Sequence, residues 1–403
     1  MEAASLLLLG AFVFSSAFSI SIAQLCGFGG SLLWLAEVGR KRSWRDLRLP
    51  LLFPAAAFAA ATLLAALLSD DVRRSLADSR QLFQVVIFFW TLNLLRQEKE
   101  VRGIFFALAA GAALTALYAL LQSLFSPPGV GGRVSGFFSI SLTLAGVLLL
   151  QLMVIYSYLL ARGRESKAPW VFAAALLATL ALLATYTRGA WVGFAVGLAV
   201  ALALARGLRW VAALPLALLV LFLLAPGGVR ARVASIVDLR DGSVRERLYL
   251  WQSGLAMVRD RPLFGFGADM VKVHYPRYRL PGAAPRRRGH LHNNFVQIAA
   301  ERGLVGLAAW LWWWGAYFAS AARRLRAMRG GGGFPHSVDR RSVDRWAVAS
   351  LAGATAFLVA GLFEYNFGDS EVVMLMYFLM ALPFVRWTGA RAGQGGGEGA
   401  ASR

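Results

Sequence analysis

Several residues in this chain have the types and spacing that chemistry needs. Thr187-Arg188-Gly189-Ala190-Trp191 sits in a minimal connection between two long apolar runs. A guanidinium pinned there can grip phosphate oxygens through two parallel hydrogen bonds, or it can snorkel to lipid headgroups with Trp191 as an interfacial anchor. Arg247 precedes Trp251 by four residues, which puts both on one helical face. It reads as a second phosphate contact or as a solvated charge on an amphipathic helix. Arg133, after Pro127-Pro128, is a third candidate of the same two kinds. His290-Leu291-His292-Asn293-Asn294-Phe295 ends an arginine-rich stretch just before another apolar run. A neutral imidazole at His292 can take the proton of an attacking hydroxyl, or it can only hydrogen-bond at a helix start. Asn293 or Asn294 would cap that helix. His290 is read as a spacer that does not share a site with His292. Glu364, Asp369 and Glu371 come later in the chain. A carboxylate there could orient His292, contact a sugar hydroxyl or balance the arginines.

The elements that position these residues are membrane helices. Of 403 residues, 58% are hydrophobic, and the mean hydropathy is +0.58. A soluble protein of this size could not cover so much apolar surface. A spanning helix needs about 20 apolar residues. Candidate spans cover roughly 50–68, 81–95, 103–122, 138–160, 169–187, 189–205, 209–225, 295–320, 346–363 and 372–386. Residues 4–38 suit a tight hairpin of two helices, for about twelve spans in total. The expected class is an all-α, polytopic integral membrane protein. The N-terminus lacks the charged start and small-residue cleavage site of a secretory signal, so it is read as a retained span.

Charge sets the sides. The basic clusters at 40–48, 96–102, 162–167, 206–209 and 323–345 fall on alternate connections, so all lie on one face. The positive-inside rule makes that face cytoplasmic. The external face then receives 69–80, 123–137, the turn at Arg188, the segment 226–294, and 364–371. Four regions result: a membrane bundle over 1–225, an external arginine-rich segment over 226–294, further spans over 295–388, and a disordered tail over 389–403. Segment 226–294 carries thirteen basic residues against five acidic ones. Long loops translocate regardless of charge, so the excess points to an anionic ligand or to anionic lipid. Val244, Leu248, Trp251, Leu255 and Val258 give it an amphipathic helix, with Ser243 as expected N-cap and Pro262 as its end.

Composition also excludes. The net charge of +21 lies in short clusters between apolar runs, a pattern that suits anionic lipid better than nucleic acid. A single cysteine, Cys26, permits no intramolecular disulfide and no cysteine metal cluster. Gly330 to Gly333 is followed by no Lys-Ser or Lys-Thr pair, so it is a linker and not a phosphate loop. The tryptophans at 310 and 312–314 are read as packing or lipid contacts.

At these motifs the chain resembles the O-antigen ligase and polymerase family of bacterial membrane proteins. The matching stretches are Thr187 to Trp191, Arg247 through Trp251 to Pro262-Leu263-Phe264-Gly265-Phe266-Gly267, and His292-Asn293-Asn294-Phe295 through Gln297, Glu301, Gly303, Leu304 and Gly306. Phe363 to Glu371 resembles the family's last external loop. The resemblance implies a membrane glycosyltransferase fold and a glycan donor on undecaprenyl diphosphate. Ligases of this kind use a lipid A–core acceptor; polymerases use another repeat unit. It implies no metal, no nucleotide sugar and no other cofactor. By motif match Arg188 and Arg247 take the diphosphate-binding roles and His292 the role of catalytic base; from the acidic cluster itself, Asp369 is read as a substrate contact. Arg133 is left outside this core, because Gly136-Phe137-Phe138-Ser139 lacks the asparagine-proline step of relatives.

The expectation is therefore an inverting, metal-independent, ligase-type glycosyltransferase in the bacterial inner membrane, with its site facing the periplasm. Rival readings are a repeat-unit polymerase of the same family, an anion or bicarbonate transporter, and an export scaffold. A transporter should carry ionisable groups near the bilayer midplane; the residues above sit at span edges.

Overall fold

In the computed structural model, residues 2–125, 133–161, 168–224, 227–234, 238, 241–284, 289–330 and 340–388 are described. The expected tail 389–403 and the linker glycines 331–333 lie outside them. Sixteen α-helices make up the described fold, with short 3-10 turns between some of them and no strand among the described residues. In order they are α1 (Glu2–Ser15), α2 (Ile20–Lys41), α3 (Leu52–Leu67), α4 (Val72–Ser79), α5 (Val86–Leu94), α6 (Glu98–Phe125), α7 (Ser141–Leu160), α8 (Pro169–Ala184), α9 (Arg188–Arg206), α10 (Leu214–Leu224), α11 (Gly227–Ala234), α12 (Gly242–Asp260), α13 (Val271–Tyr278), α14 (Asn294–Gly330), α15 (Arg340–Ala360) and α16 (Ser370–Ala381).

Five described helices are long and apolar enough to cross a membrane: α2, α6, α7, α9 and residues 343–360 of α15. Shorter apolar helices join them: α1, α3, α8 and the run Ser370–Phe384. The protein is an all-α, multi-pass membrane protein. The expected hairpin over 4–38 is two helices, with Ser19 capping the second by accepting from Ile22 N. The expected span 209–225 is a 3-10 turn over Leu208–Ala213 followed by the 11-residue α10.

Small residues set the closest packing. Gly189, Gly193 and Gly197 recur every fourth residue along α9. A Cβ on Gly193 would lie 2.7 Å from Ala356 O, and one on Gly197 would overlap Met153 Sδ. This small-residue stripe lets α9 lie directly on α15 and α7. Trp310, Trp313 and Trp314 are buried, with Trp310 edge-on to Phe295 and Phe367. Trp312 points outward.

The bundle has two distinct ends. At one, Arg206 Nε donates to Leu160 O, Arg329 donates to Leu204 O, and Thr388 N donates to Arg96 O. At the other, Arg133 meets Thr185 and Thr187, Arg188 meets Asp241, Arg261 meets Asp70, and His292 meets Glu364. The segments read from charge as external thus meet one another at a single end.

The 226–294 segment folds with a small core of its own. Leu250, Met257, Phe266, Met270, Val271, Tyr275 and Leu291 form a separate buried cluster that rests on Ala300 of α14. The loop Pro262 to Gly267 is pinned to α14 by backbone bonds: Phe266 N to Ala300 O at 3.0 Å, Gly267 N to Glu301 O at 2.8 Å, and Leu304 N to Pro262 O at 2.7 Å. Gly303 breaks the helix there with φ 66° and ψ −175°. A Cβ on it would overlap Leu263 O, and one on Gly265 (φ 67°) would run into Glu301. Glycine is required at both positions by conformation and by space.

Candidate active site

The site is built where four connections converge. Arg188 is the first residue of α9 and is only 5% exposed. The turn before it passes through Tyr186 in the left-handed region, φ 51°. Trp191 locks this turn by donating its ring N–H to Leu182 O at 3.0 Å, so it packs the α8–α9 hairpin. Arg188 donates to Asp241 Oδ1 at 3.0 Å and to Ser243 Oγ.

Asp241 is the N-cap of α12, accepting from Ser243 N at 3.0 Å and Val244 N at 3.2 Å. The expected cap was Ser243. Asp241 takes the place because its carboxylate reaches the first free amides and the Arg188 guanidinium together. Partial burial opposes its ionisation, but hydrogen bonds from Ser243 and Arg188 outweigh that and hold its pKa at about 2.

Arg247 lies one turn into α12, on the face toward α9. With Arg188, Gly189, Val192, Val244, Leu248, Trp251 and Phe363 it lines a mostly apolar cleft of ≈ 220 Å³. Two guanidiniums at an apolar cleft suit a ligand with an anionic head and an oily tail. Gly189 lets α9 approach closely: a Cβ there would lie 2.8 Å from Phe363 Cβ. That contact brings the Arg188 turn beside Glu364.

His292 Nδ1 lies 2.8 Å from Glu364 Oε2. His290 Nδ1 lies 3.5 Å from Glu364 Oε1. The reading of His290 as a spacer is therefore corrected. Leu291 points the other way, fully buried in the small core, with its N–H donating to Gln297 Oε1 at 2.8 Å. Alternation about Leu291 puts its two neighbours on one side. Burial pushes the Glu364 carboxyl up, but the hydrogen bond and charge of His292, with His290 and Arg247 behind them, pull it below the usual carboxylate range. An ionised Glu364 accepts from Nδ1–H, which leaves the His292 Nε2 lone pair available to a substrate.

Both asparagines of the motif are structural. Asn293 caps α14, its Oδ1 accepting from Phe295 N at 2.8 Å and Val296 N at 3.1 Å. Its amide donates to Leu362 O at 2.9 Å. Asn294 donates to Asn366 Oδ1 at 2.7 Å and accepts from Phe367 N at 3.1 Å. These bonds fasten the turn that carries Glu364 to the helix that follows His292.

Two arginines complete the group. Arg133 Nε donates to Thr185 O and its Nη2 to Thr187 Oγ1, both at 2.8 Å. Its charge interacts with Arg188, Arg232, Arg247 and Glu364, so the structure brings it to the site from which sequence reading left it out. Arg232 Nη1 lies 3.9 Å from Asp241 Oδ2. No sequence motif marks Arg232; only the fold of α11 places it. Burial lowers the pKa of Arg133, Arg232 and Arg247 from the ordinary arginine value, and neighbouring guanidiniums push the same way. These four guanidiniums lie near the carboxylates of Asp241 and Glu364.

Asp369 lies apart. Its carboxylate accepts from Thr143 Oγ1 at 2.6 Å and interacts with Glu371. Among the three acidic residues of this turn region, Glu364 is the one that bonds His292.

Comparison with known proteins agrees with the motifs. Residues 172–311 match the model of the O-antigen ligase family. Over these residues the chain is similar to that family. The matched stretch includes Arg188, Arg247 and His292 and ends before Glu364. The chain is also similar to the exopolysaccharide production protein ExoQ of Rhizobium meliloti (strain 1021), 29% identical over 238 residues, with 52% of this chain and 52% of that protein covered. The chain thus spans about half the length of this curated relative.

Proposed function

We propose that this protein is a membrane glycosyltransferase of the O-antigen ligase type. It moves a glycan from undecaprenyl diphosphate to a hydroxyl of an acceptor sugar, such as lipid A–core, at the periplasmic face of the inner membrane. The observation that carries this is the His292–Glu364 pair set among four guanidiniums. A sugar-diphosphate diester carries two negative charges, which a cluster of guanidiniums can neutralise. The apolar cleft beside Arg188 and Arg247 suits the first isoprene units.

In this reading His292 Nε2 takes the proton of the acceptor hydroxyl. The oxygen attacks the anomeric carbon as the bond to the diphosphate breaks, and the configuration inverts. Arg188 and Arg247 neutralise the charge that grows on the leaving diphosphate, with Arg133 and Arg232 behind them. Glu364 holds the imidazole in the reactive tautomer and stabilises it once protonated. These residues do the work without a metal.

The name of the exopolysaccharide relative favours one second reading, in which the acceptor is another glycan repeat and the protein is a polymerase. The direct test is transfer by purified protein in nanodiscs, with a polyprenyl-diphosphate glycan and each acceptor in turn. Donor binding without any transfer would defeat both readings. In cells lacking the gene, full-length glycan accumulating on the carrier means a ligase; single repeats accumulating means a polymerase.

A further inference from the structure

We propose that His290, His292 and Glu364 form a binding site for a transition-metal ion of the zinc class, and that filling it switches glycan transfer off. The second half rests on the function proposed above; the first does not.

Two imidazoles and one carboxylate are a donor set that zinc uses when three protein ligands leave a fourth position open. Two ring nitrogens in the set favour zinc-like ions over magnesium or calcium, which prefer oxygen. The three ligand atoms lie within 4.8 Å of one another. Each Nδ1 faces its own carboxylate oxygen, at 3.5 Å for His290 and 2.8 Å for His292. A tetrahedral ion with bonds of about 2.0–2.1 Å spaces its ligand atoms by roughly 3.3 Å. The two histidine–carboxylate separations, 2.8 and 3.5 Å, bracket that spacing.

The frame is already fixed. Leu291 is buried between the two histidines, and Tyr365 N donates to Glu364 Oε1 at 3.1 Å. Such outer contacts hold ligands in place before an ion arrives. The nearby guanidiniums oppose a dication, so binding is reversible and weaker than at a structural zinc site.

Silencing follows from the tautomer. A metal takes the lone pair of Nδ1, so the single ring proton of neutral His292 sits on Nε2. The acceptor hydroxyl then meets an N–H donor where it needs a base. Glu364 is occupied as a ligand at the same time. No proton need leave the protein and no redox change occurs.

The test uses full-length protein with any affinity tag removed, in nanodiscs, titrated with Co²⁺ as a coloured stand-in for Zn²⁺. One equivalent of Co²⁺ should give visible d–d absorption that Zn²⁺ abolishes. The signal should vanish in His290→Ala, His290→Gln and His292→Ala, and persist in His274→Ala. Saturating Zn²⁺ should lower wild-type transfer at least tenfold and a chelator should restore it, whereas the ratio of transfer with Zn²⁺ to transfer without it should stay near one in His290→Gln, whatever its basal rate. No absorption with the wild type, or absorption that survives the His290 and His292 variants, would overturn the site. Metal binding with transfer unchanged would overturn the silencing. If the protein transfers no glycan at all, the enzyme reading fails, and the cobalt titration still decides the site.

Discussion

His292 and Glu364 stand 72 positions apart, and their side chains meet at 2.8 Å. One precedes α14 and the other follows α15, so their meeting depends on how those two helices are fastened together. With the carboxylate accepting from Nδ1–H, the imidazole keeps its lone pair on Nε2.

Glu364→Gln should therefore lower turnover while leaving donor affinity nearly unchanged. The amide can present its N–H to Nδ1 and so favour the tautomer with the proton on Nε2. General-base assistance is worth roughly 10²–10⁴-fold, and most of it should disappear. Steady-state transfer kinetics alongside a donor-binding measurement separate the two effects. Loss of donor binding with unchanged turnover would contradict the assignment.

Arg188→Ala and Arg247→Ala should act in the opposite way. Each removes charge-assisted hydrogen bonds to the diphosphate, worth about 1.5–3 kcal/mol, or roughly ten- to a hundredfold in donor Kd. Arg133→Ala should give a smaller loss, because its guanidinium also holds Thr185 O and Thr187 Oγ1. Titration with a non-hydrolysable polyprenyl diphosphate checks the order.

Asp241 provides a pH signature. Its folded pKa of about 2 lies below the ordinary value of 3.8. Its contribution to stability is thus complete above about pH 4–5 and is lost as the pH falls toward 2. Asp241→Asn should melt at a lower temperature than wild type at pH 7, and the two should converge on acidification through this window. A constant gap from pH 7 to pH 2.5 would show that the Arg188–Asp241 pair carries no such linkage.

The sequence already displays the spans, the two ends and the Arg188, Arg247 and His292 motifs, because hydropathy and charge clustering are local signals. Arg232 carries no sequence signal as a site residue, and Arg133 is legible only as a candidate outside the core site. Arg232 sits in a short helix without a motif, and Arg133 reaches the site through Thr185 and Thr187, contacts that only the fold creates. His290 shares a side with His292 because i and i+2 positions about the buried Leu291 do so. The choice among Glu364, Asp369 and Glu371 depends on the turn between α15 and α16, whose geometry is set by side-chain bonds that hydropathy does not record.

Those bonds lead to the last prediction. Asn294 Nδ2 donates to Asn366 Oδ1 at 2.7 Å, and Asn366 Nδ2 donates to Phe357 O at 2.9 Å, all three groups being buried. Removing either amide strands buried polar partners, at a cost of about 1–3 kcal/mol. Asn294→Ala and Asn366→Ala should each lower the melting temperature by several degrees in detergent. The double variant should lose less than the sum, since both single changes break the same bond. Asn294→Ala should also reduce turnover more than donor affinity, because it frees the turn that sets Glu364 against His292. Strictly additive melting shifts, or a loss confined to donor binding, would mean that this pair does not position the base.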